Sequence, residues 1–128
     1  MKFQNFTKEL HEIKTQYGFP DGGLYLILNK NYKYIGCGGI RKFKDGVAEL
    51  KRMYIKKEYR GKGLGRKLLE KLIQLATDLK YEKIWLDTLE SLQAATNLYR
   101  EYGFAEQEPY RFNPNPDVIY FELIIKKV

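Results

Sequence analysis

The stretch Arg60-Gly61-Lys62-Gly63-Leu64-Gly65-Arg66 sets three glycines in alternation at the entrance of KLLEKLIQLATDLK, whose leucines recur at helical spacing. Glycine costs helix stability, so three at one entrance call for a reason. The first N–H groups of a helix have no intrahelical partner and lie at the positive end of its dipole. Glycines there let a bulky anion reach the backbone, and Arg60, Lys62 and Arg66 add positive charge around the same turn. That composition suits a pyrophosphate; a flexible helix entrance is the plainer alternative, although one glycine would serve it. Two named phosphate motifs fit less well. A Walker loop needs Gly-Lys-Ser/Thr, and no hydroxyl residue follows here. The dinucleotide pattern G-x-G-x-x-G matches at Gly61 and Gly63, with Asp87 as its ribose ligand, but Arg66 holds the last position and KKEYR separates the cluster from the preceding strand.

The elements that must hold this turn can be read outward from it. VAELKRMYI (47–55) is a strand, KKEYRG a loop, and residues 62–79 a helix with Leu64, Leu68, Leu72, Leu75 and Leu79 along one face. KIWLD (83–87) is a short buried strand, and strand–helix–strand order predicts a parallel crossover. Upstream, LYLILN (24–29) and KYIGCGGIRKF (33–43) read as antiparallel strands, with KDG (44–46) turning into the next. Asn5 as an N-cap, with Phe6, Leu10, Ile13 and Tyr17 behind it, predicts an amphipathic helix over 6–17 that ends at FPDGG. Downstream, residues 92–102 form a short helix stopped by Gly103, and a strand begins over 104–106. PYRFNPNPD is a proline-rich loop, and VIYFELII (118–125) is the last strand. The sum is a single mixed α/β domain over 1–128, without repeats or a linker.

A chain of 128 residues is long enough for one domain with a working core. Its 44% hydrophobic and 30% charged residues are ordinary for a globular protein. No apolar run approaches the roughly 18–20 residues of a membrane span. MKFQNFTKELHEIK lacks a signal-peptide core, and the single Cys37 excludes an internal disulfide framework, so the expected setting is the reducing cytoplasm. Cys37 reads as packing rather than a nucleophile, and His11 as a surface or satisfied histidine. The two lie far apart, so no metal is expected. The net charge of +7 suits an anionic partner or a solvated lysine-rich surface. Basic residues are dispersed, so neither nucleic acid nor membrane is the expected partner.

ELKRMYIKKEYRGKGLGRKLL (49–69) resembles the acetyl-CoA-binding core of the GNAT superfamily of N-acetyltransferases: Arg60, Gly63 and Gly65 match the pattern Arg/Gln-x-x-Gly-x-Gly/Ala. LDTLESLQAATNLYREYGF (86–104) resembles the family's later segment, with its alanine, its Leu-Tyr pair and its Gly-Phe. The likeness spans residues 6–126. It implies a central, mostly antiparallel mixed sheet flanked by helices, with a splayed-strand acetyl-CoA cleft. Backbone groups of Met53, Tyr54 and Ile55 would meet the pantetheine arm. Amides from Gly61 through Lys62, Gly63, Leu64 and Gly65 to Arg66 would hold the pyrophosphate beside Arg60, with Asn97 a further coenzyme contact. Members open with a strand and a helix before the segment matching residues 6–17, whereas only Met1 to Asn5 precede it here. The N-terminus is thus expected to be shortened, its first strand missing or supplied otherwise.

The activity implied is direct acetyl transfer from acetyl-CoA to a primary amine of a small molecule or peptide. A lysine-type amine, with a pKa of about 10.4, needs a base at neutral pH, whereas an α-amine near 8 needs less help. Glu49 is the candidate base: it begins a central strand, partial burial would raise its pKa, and alternation places it with Met53 and Ile55. An ion pair with Lys51 or Arg52 is its structural alternative. Tyr99 matches the family's Leu-Tyr pair and is the candidate acid for the leaving thiolate; periodicity alone makes it a core aromatic. A backbone N–H near Met53 to Ile55 would stabilise the oxyanion. Arg111 and the NPNPD loop would border the acceptor. A non-catalytic acyl-CoA sensor of the same fold is the alternative function. Monomer and homodimer stay open.

Overall fold

Among residues 10–19 and 21–125, which the computed structural model describes, seven strands and two α-helices succeed one another; over 10–19 the description is of the backbone alone. β1 (Leu10–Phe19), β2 (Gly22–Asn29), β3 (Tyr34–Lys44) and β4 (Val47–Ile55) form an antiparallel meander. Helix α1 (Leu64–Asp78) packs against β3 and β4 and leads into β5 (Lys83–Leu89), which runs parallel to β4. After α2 (Gln93–Glu101), β6 (Ala105–Gln107) and β7 (Val118–Ile124) complete one sheet of order β1-β2-β3-β4-β5-β7-β6. Every pairing is antiparallel except that of β4 with β5, the predicted crossover.

The apolar stripe of α1 fixes where the core sits. Leu64, Leu68, Leu69, Leu72 and Ala76 are buried, while Leu75 and Leu79 are half-buried at its margin. The helical period of 3.6 accounts for this, since leucines three and four apart stay on one face while a longer series drifts off it. The buried α1 residues share one core with Ile27, Ile35, Ile40, Ala48 and Leu50 of the meander and with Ile84, Leu86, Ile119 and Phe121 beyond it. Gly38 sits under the helix, where a Cβ would lie 3.0 Å from both Leu68 and Leu72, so its missing side chain lets α1 press close to β3.

The expected helix over 6–17 is corrected: residues 10–17 are strand. Asn5 and Phe6 lie outside the described residues, and the side chain of His11 is likewise undescribed. The apolar spacing misled because β1 is bulged. Leu10 pairs with Asn29 and Ile13 with Ile27, so positions three apart on β1 answer positions two apart on β2. A second shift falls between Thr15 and Tyr17. The first bulge gives Leu10 and Ile13, three apart, partners of one parity on β2, the step of a helix; the second sets Tyr17 opposite Leu24 and breaks that series. Within FPDGG, Asp21 is a turn as expected, at a hairpin with Phe19 opposite Gly22, while Pro20 lies outside the described residues. The segment read as helix is thus the first described strand of the sheet, paired with β2.

Candidate active site

The glycine cluster forms an open cradle. Gly63 is the N-cap of α1 at φ 85°, and Gly61 has φ 77°, both in the left-handed region where any side chain is strained. A Cβ at either position meets nothing within 4 Å, so the space outside the turn is open. The first turn of α1 has neither a side-chain cap nor an acidic residue, which leaves its N–H groups to an outside acceptor. Arg60 is anchored by its Nε to the Ile55 carbonyl at 2.8 Å and lies over Tyr54; Lys62 lies over Tyr59. Arg66 pairs with Glu101 at 2.6 Å and so ties α1 to α2 rather than entering the cradle. Open backbone donors and flanking cations fit a pyrophosphate.

Beside the cradle the sheet opens. β4 and β5 pair only at Val47–Lys83, Ala48–Ile84 and Glu49–Trp85, although β4 runs on to Ile55 and β5 to Leu89. A wedge between the two strands follows, as the family resemblance implies. A bulge in β4 accompanies it: Gly39 pairs with Lys51 and Cys37 with Tyr54, so β4 carries an extra residue. Arg52 accordingly takes φ 59°. The Cys37 thiol donates to the Arg52 carbonyl at 3.1 Å and accepts from the Tyr34 hydroxyl at 3.3 Å, so Cys37 braces the bulge beyond mere packing.

The bulge corrects the predicted alternation. Glu49 does not share a face with Met53 and Ile55, because the extra residue breaks the parity between them. Met53 and Ile55 pack against the core, and the Met53 methyl lies 3.8 Å from where a Cβ on Gly65 would stand. Glu49, opposite Arg41 in the β3–β4 ladder, faces the side away from α1.

There Glu49 is 0% exposed and its carboxylate is saturated. Arg41 donates to Oε1 from Nε at 3.3 Å and Nη2 at 3.2 Å. The Tyr110 hydroxyl donates to Oε2 at 2.7 Å, the Arg111 guanidinium donates to the same oxygen, and the Lys51 ammonium lies 3.7 Å away. Arg111 also reaches Asp87 at 3.8 Å. Tyr110 is held among the rings of Phe43, Trp85 and Tyr120, at centroid distances of 5.1, 4.9 and 5.1 Å. Burial alone would raise the Glu49 pKa, but hydrogen bonds from Tyr110 and Arg111 and the charges of Lys51 and Arg111 outweigh it. The carboxyl is held below its ordinary value, which corrects the expected rise. Burial, and then the bond to Glu49, push the Tyr110 phenol up. Of the two expected ion partners Lys51 is present and Arg52 is not; Arg41 and Arg111 take that place.

Tyr99 is buried on α2 against Phe104 and Phe121, at 5.6 and 6.2 Å between ring centroids. Burial pushes its phenol up to about 12. Asn97, on the same helix, is exposed. α2 flanks the cradle, with Leu98 placed 3.6 Å from a Cβ position on Gly65. The predicted residues thus fall into two groups. Met53, Gly61–Arg66 and α2 gather on the helical face, and Glu49 with its cations lies on the other, with the wedge between β4 and β5 beside both. Sequence reasoning missed Arg41 and Tyr110. Arg41 was recoverable, because the KDG turn sets it opposite Glu49; Tyr110 had no local signal. Among the described residues no group of three His, Cys, Asp or Glu could hold a metal, and no helix is long and apolar enough to cross a membrane.

Comparison with known proteins bears on the family and the fold. The model of the acetyltransferase (GNAT) family matches residues 2–104. An uncharacterized N-acetyltransferase of Schizosaccharomyces pombe is 37% identical over 128 residues, covering 99% of this chain and 78% of that one. A spermine/spermidine N(1)-acetyltransferase of Bacillus subtilis is 39% identical over 71 residues, covering 55% of this chain and 47% of its own length. The crystal structure of a GNAT-family acetyltransferase from Staphylococcus aureus superposes with a TM-score of 0.72 at 26% identity, covering 82% of this chain and 68% of that one.

Proposed function

The chain belongs to the acetyltransferase (GNAT) family and with it to the acetyl-CoA-dependent acetyltransferases; from that premise we propose that it transfers the acetyl group directly to a primary amine of a small molecule or peptide. The observation that carries this reading is the wedge between β4 and β5 opening beside the uncapped, glycine-rich start of α1. The amides of Gly61–Arg66, with Arg60 and Lys62, bind the pyrophosphate. The backbone of Met53–Ile55 pairs with the pantetheine arm, and a β4 N–H in that stretch meets the developing oxyanion. Acetyl-CoA supplies the acyl group as an activated thioester.

The side chains divide the proton work. Tyr99, protonated throughout the neutral range, donates to the departing thiolate, whose conjugate acid lies near 8.5. Glu49, ionised throughout that range, attracts the incoming ammonium and takes its proton through a water or the Tyr110 hydroxyl, since its own oxygens are occupied. A carboxylate held this low is a weak base, so an α-amine suits the site better than a lysine-type amine. The polyamine named for the Bacillus subtilis relative is an acceptor to include, and a cytoplasmic setting fits the lone Cys37 thiol. A thiol-release assay across amino acids, polyamines, aminoglycosides and peptides tests the reading. Amine-dependent release supports it, and its absence across the whole panel contradicts it.

A further inference from the structure

We infer that the acceptor amine also carries a compact anionic group, which docks in a small basic pocket beside the wedge. The inference rests on the proposed acetyl transfer for its meaning but not for its evidence. A cavity of about 140 Å³ opens on the meander, with Gly22 and Gly39 in its wall and Arg41, Lys51 and Arg52 around it. That is room for a carboxylate or phosphate on a short stem. Arg41, Lys51 and Arg52 line it with one acidic residue, Asp21. Two of them, Arg41 and Lys51, also hold Glu49, but they share it with Arg111. Arg52 is exposed and has no ion pair among the described residues.

A second observation points the same way. Arg52 stands at φ 59°, where an arginine is strained and a glycine or asparagine is not. Strain of this kind collects where a side chain is needed at a fixed place. Here it sets Arg52 in the β4 bulge, past the last pair with β5 and among the residues that line the pocket. A polyamine would bring further positive charge to this wall, whereas an amine with a carboxylate or phosphate would complement it.

Matched acceptors separate these cases: alanine against alaninamide, O-phosphoethanolamine against ethanolamine, and spermidine beside them. The anionic member of at least one pair is expected to have about tenfold higher kcat/KM, the worth of one charge-assisted hydrogen bond. Which pair shows it tells carboxylate from phosphate. Arg52→Asn, which tolerates the left-handed backbone, should erase most of that preference. Preference for the neutral members or spermidine, or a preference untouched by Arg52→Asn, overturns the inference. A second arm needs no turnover: acetate and phosphate titrated into the coenzyme-free protein should shift the Gly22 and Gly39 amide resonances saturably, and more weakly in Arg52→Asn. Failure of both anions to do so overturns the pocket alone. Failure of coenzyme A to raise the melting temperature of the same sample counts against the acetyltransferase reading instead.

Discussion

A carboxylate gripped by three cations and a phenol behaves differently from one that is only buried. Glu49 has no exposed surface, and its pKa lies below the ordinary value of 4.5. A depressed carboxylate stabilises the fold above its unfolded pKa and loses that contribution as pH falls through its folded pKa. Acid unfolding followed by circular dichroism should therefore steepen below about pH 4.5 in the parent. Glu49→Gln should flatten that dependence and cost about 3 kcal/mol at pH 7, because it strands the Arg41, Lys51 and Arg111 charges around a neutral group. Tyr99 calls for a different test. Its phenol has no hydrogen-bond partner among the described residues to lose, so Tyr99→Phe should leave stability nearly unchanged. It should lower kcat by about 100-fold, with little effect on the KM for acetyl-CoA. A Tyr99→Phe enzyme with parental kcat would remove Tyr99 from the chemistry and leave it as packing between Phe104 and Phe121.

Two left-handed residues set the shape of the elements around the site, and they respond oppositely to substitution. Gly63→Ala places a Cβ at φ 85°, which should cost about 1–2 kcal/mol in denaturant melts and weaken coenzyme A binding, since the methyl occupies the cradle. Arg52→Gly relieves strain at φ 59° and should add about 1 kcal/mol, provided the bulge keeps its Cys37 brace. The contrast shows what the sequence could disclose. Gly61 and Gly63 announced their turn because glycine is the residue such backbone demands. Arg52 concealed its bulge because arginine gives no sign of a left-handed conformation, and the faces of Glu49, Met53 and Ile55 were misread as a result. β1 failed for a related reason, its first bulge giving Leu10 and Ile13 the three-residue step of a helix. The α1 stripe and the β4–α1–β5 crossover were legible because each rests on a regular period. Tyr110 was not, since its meeting with Glu49 spans 61 residues and depends on packing among Phe43, Trp85 and Tyr120.

At the scale of the molecule, the sheet is two parts joined by a ladder of three residue pairs, with α1 packed on β3 and β4 and one core running under both parts. Such a joint gains from a ligand that spans it. Coenzyme A at 100 times its dissociation constant should add about 2.7 kcal/mol of stability by mass action, visible as a rise in melting temperature. With a chain of net charge +7, that gain should shrink as salt screens the pyrophosphate contacts. Binding alone, however, would equally describe a protein that holds acetyl-CoA without using it. The decisive measurement is thiol release from acetyl-CoA with and without an acceptor panel of amino acids, peptides and polyamines. Release that saturates with at least one primary amine and falls sharply in Tyr99→Phe is the predicted result. Coenzyme A binding with no amine-dependent release anywhere in the panel would contradict it.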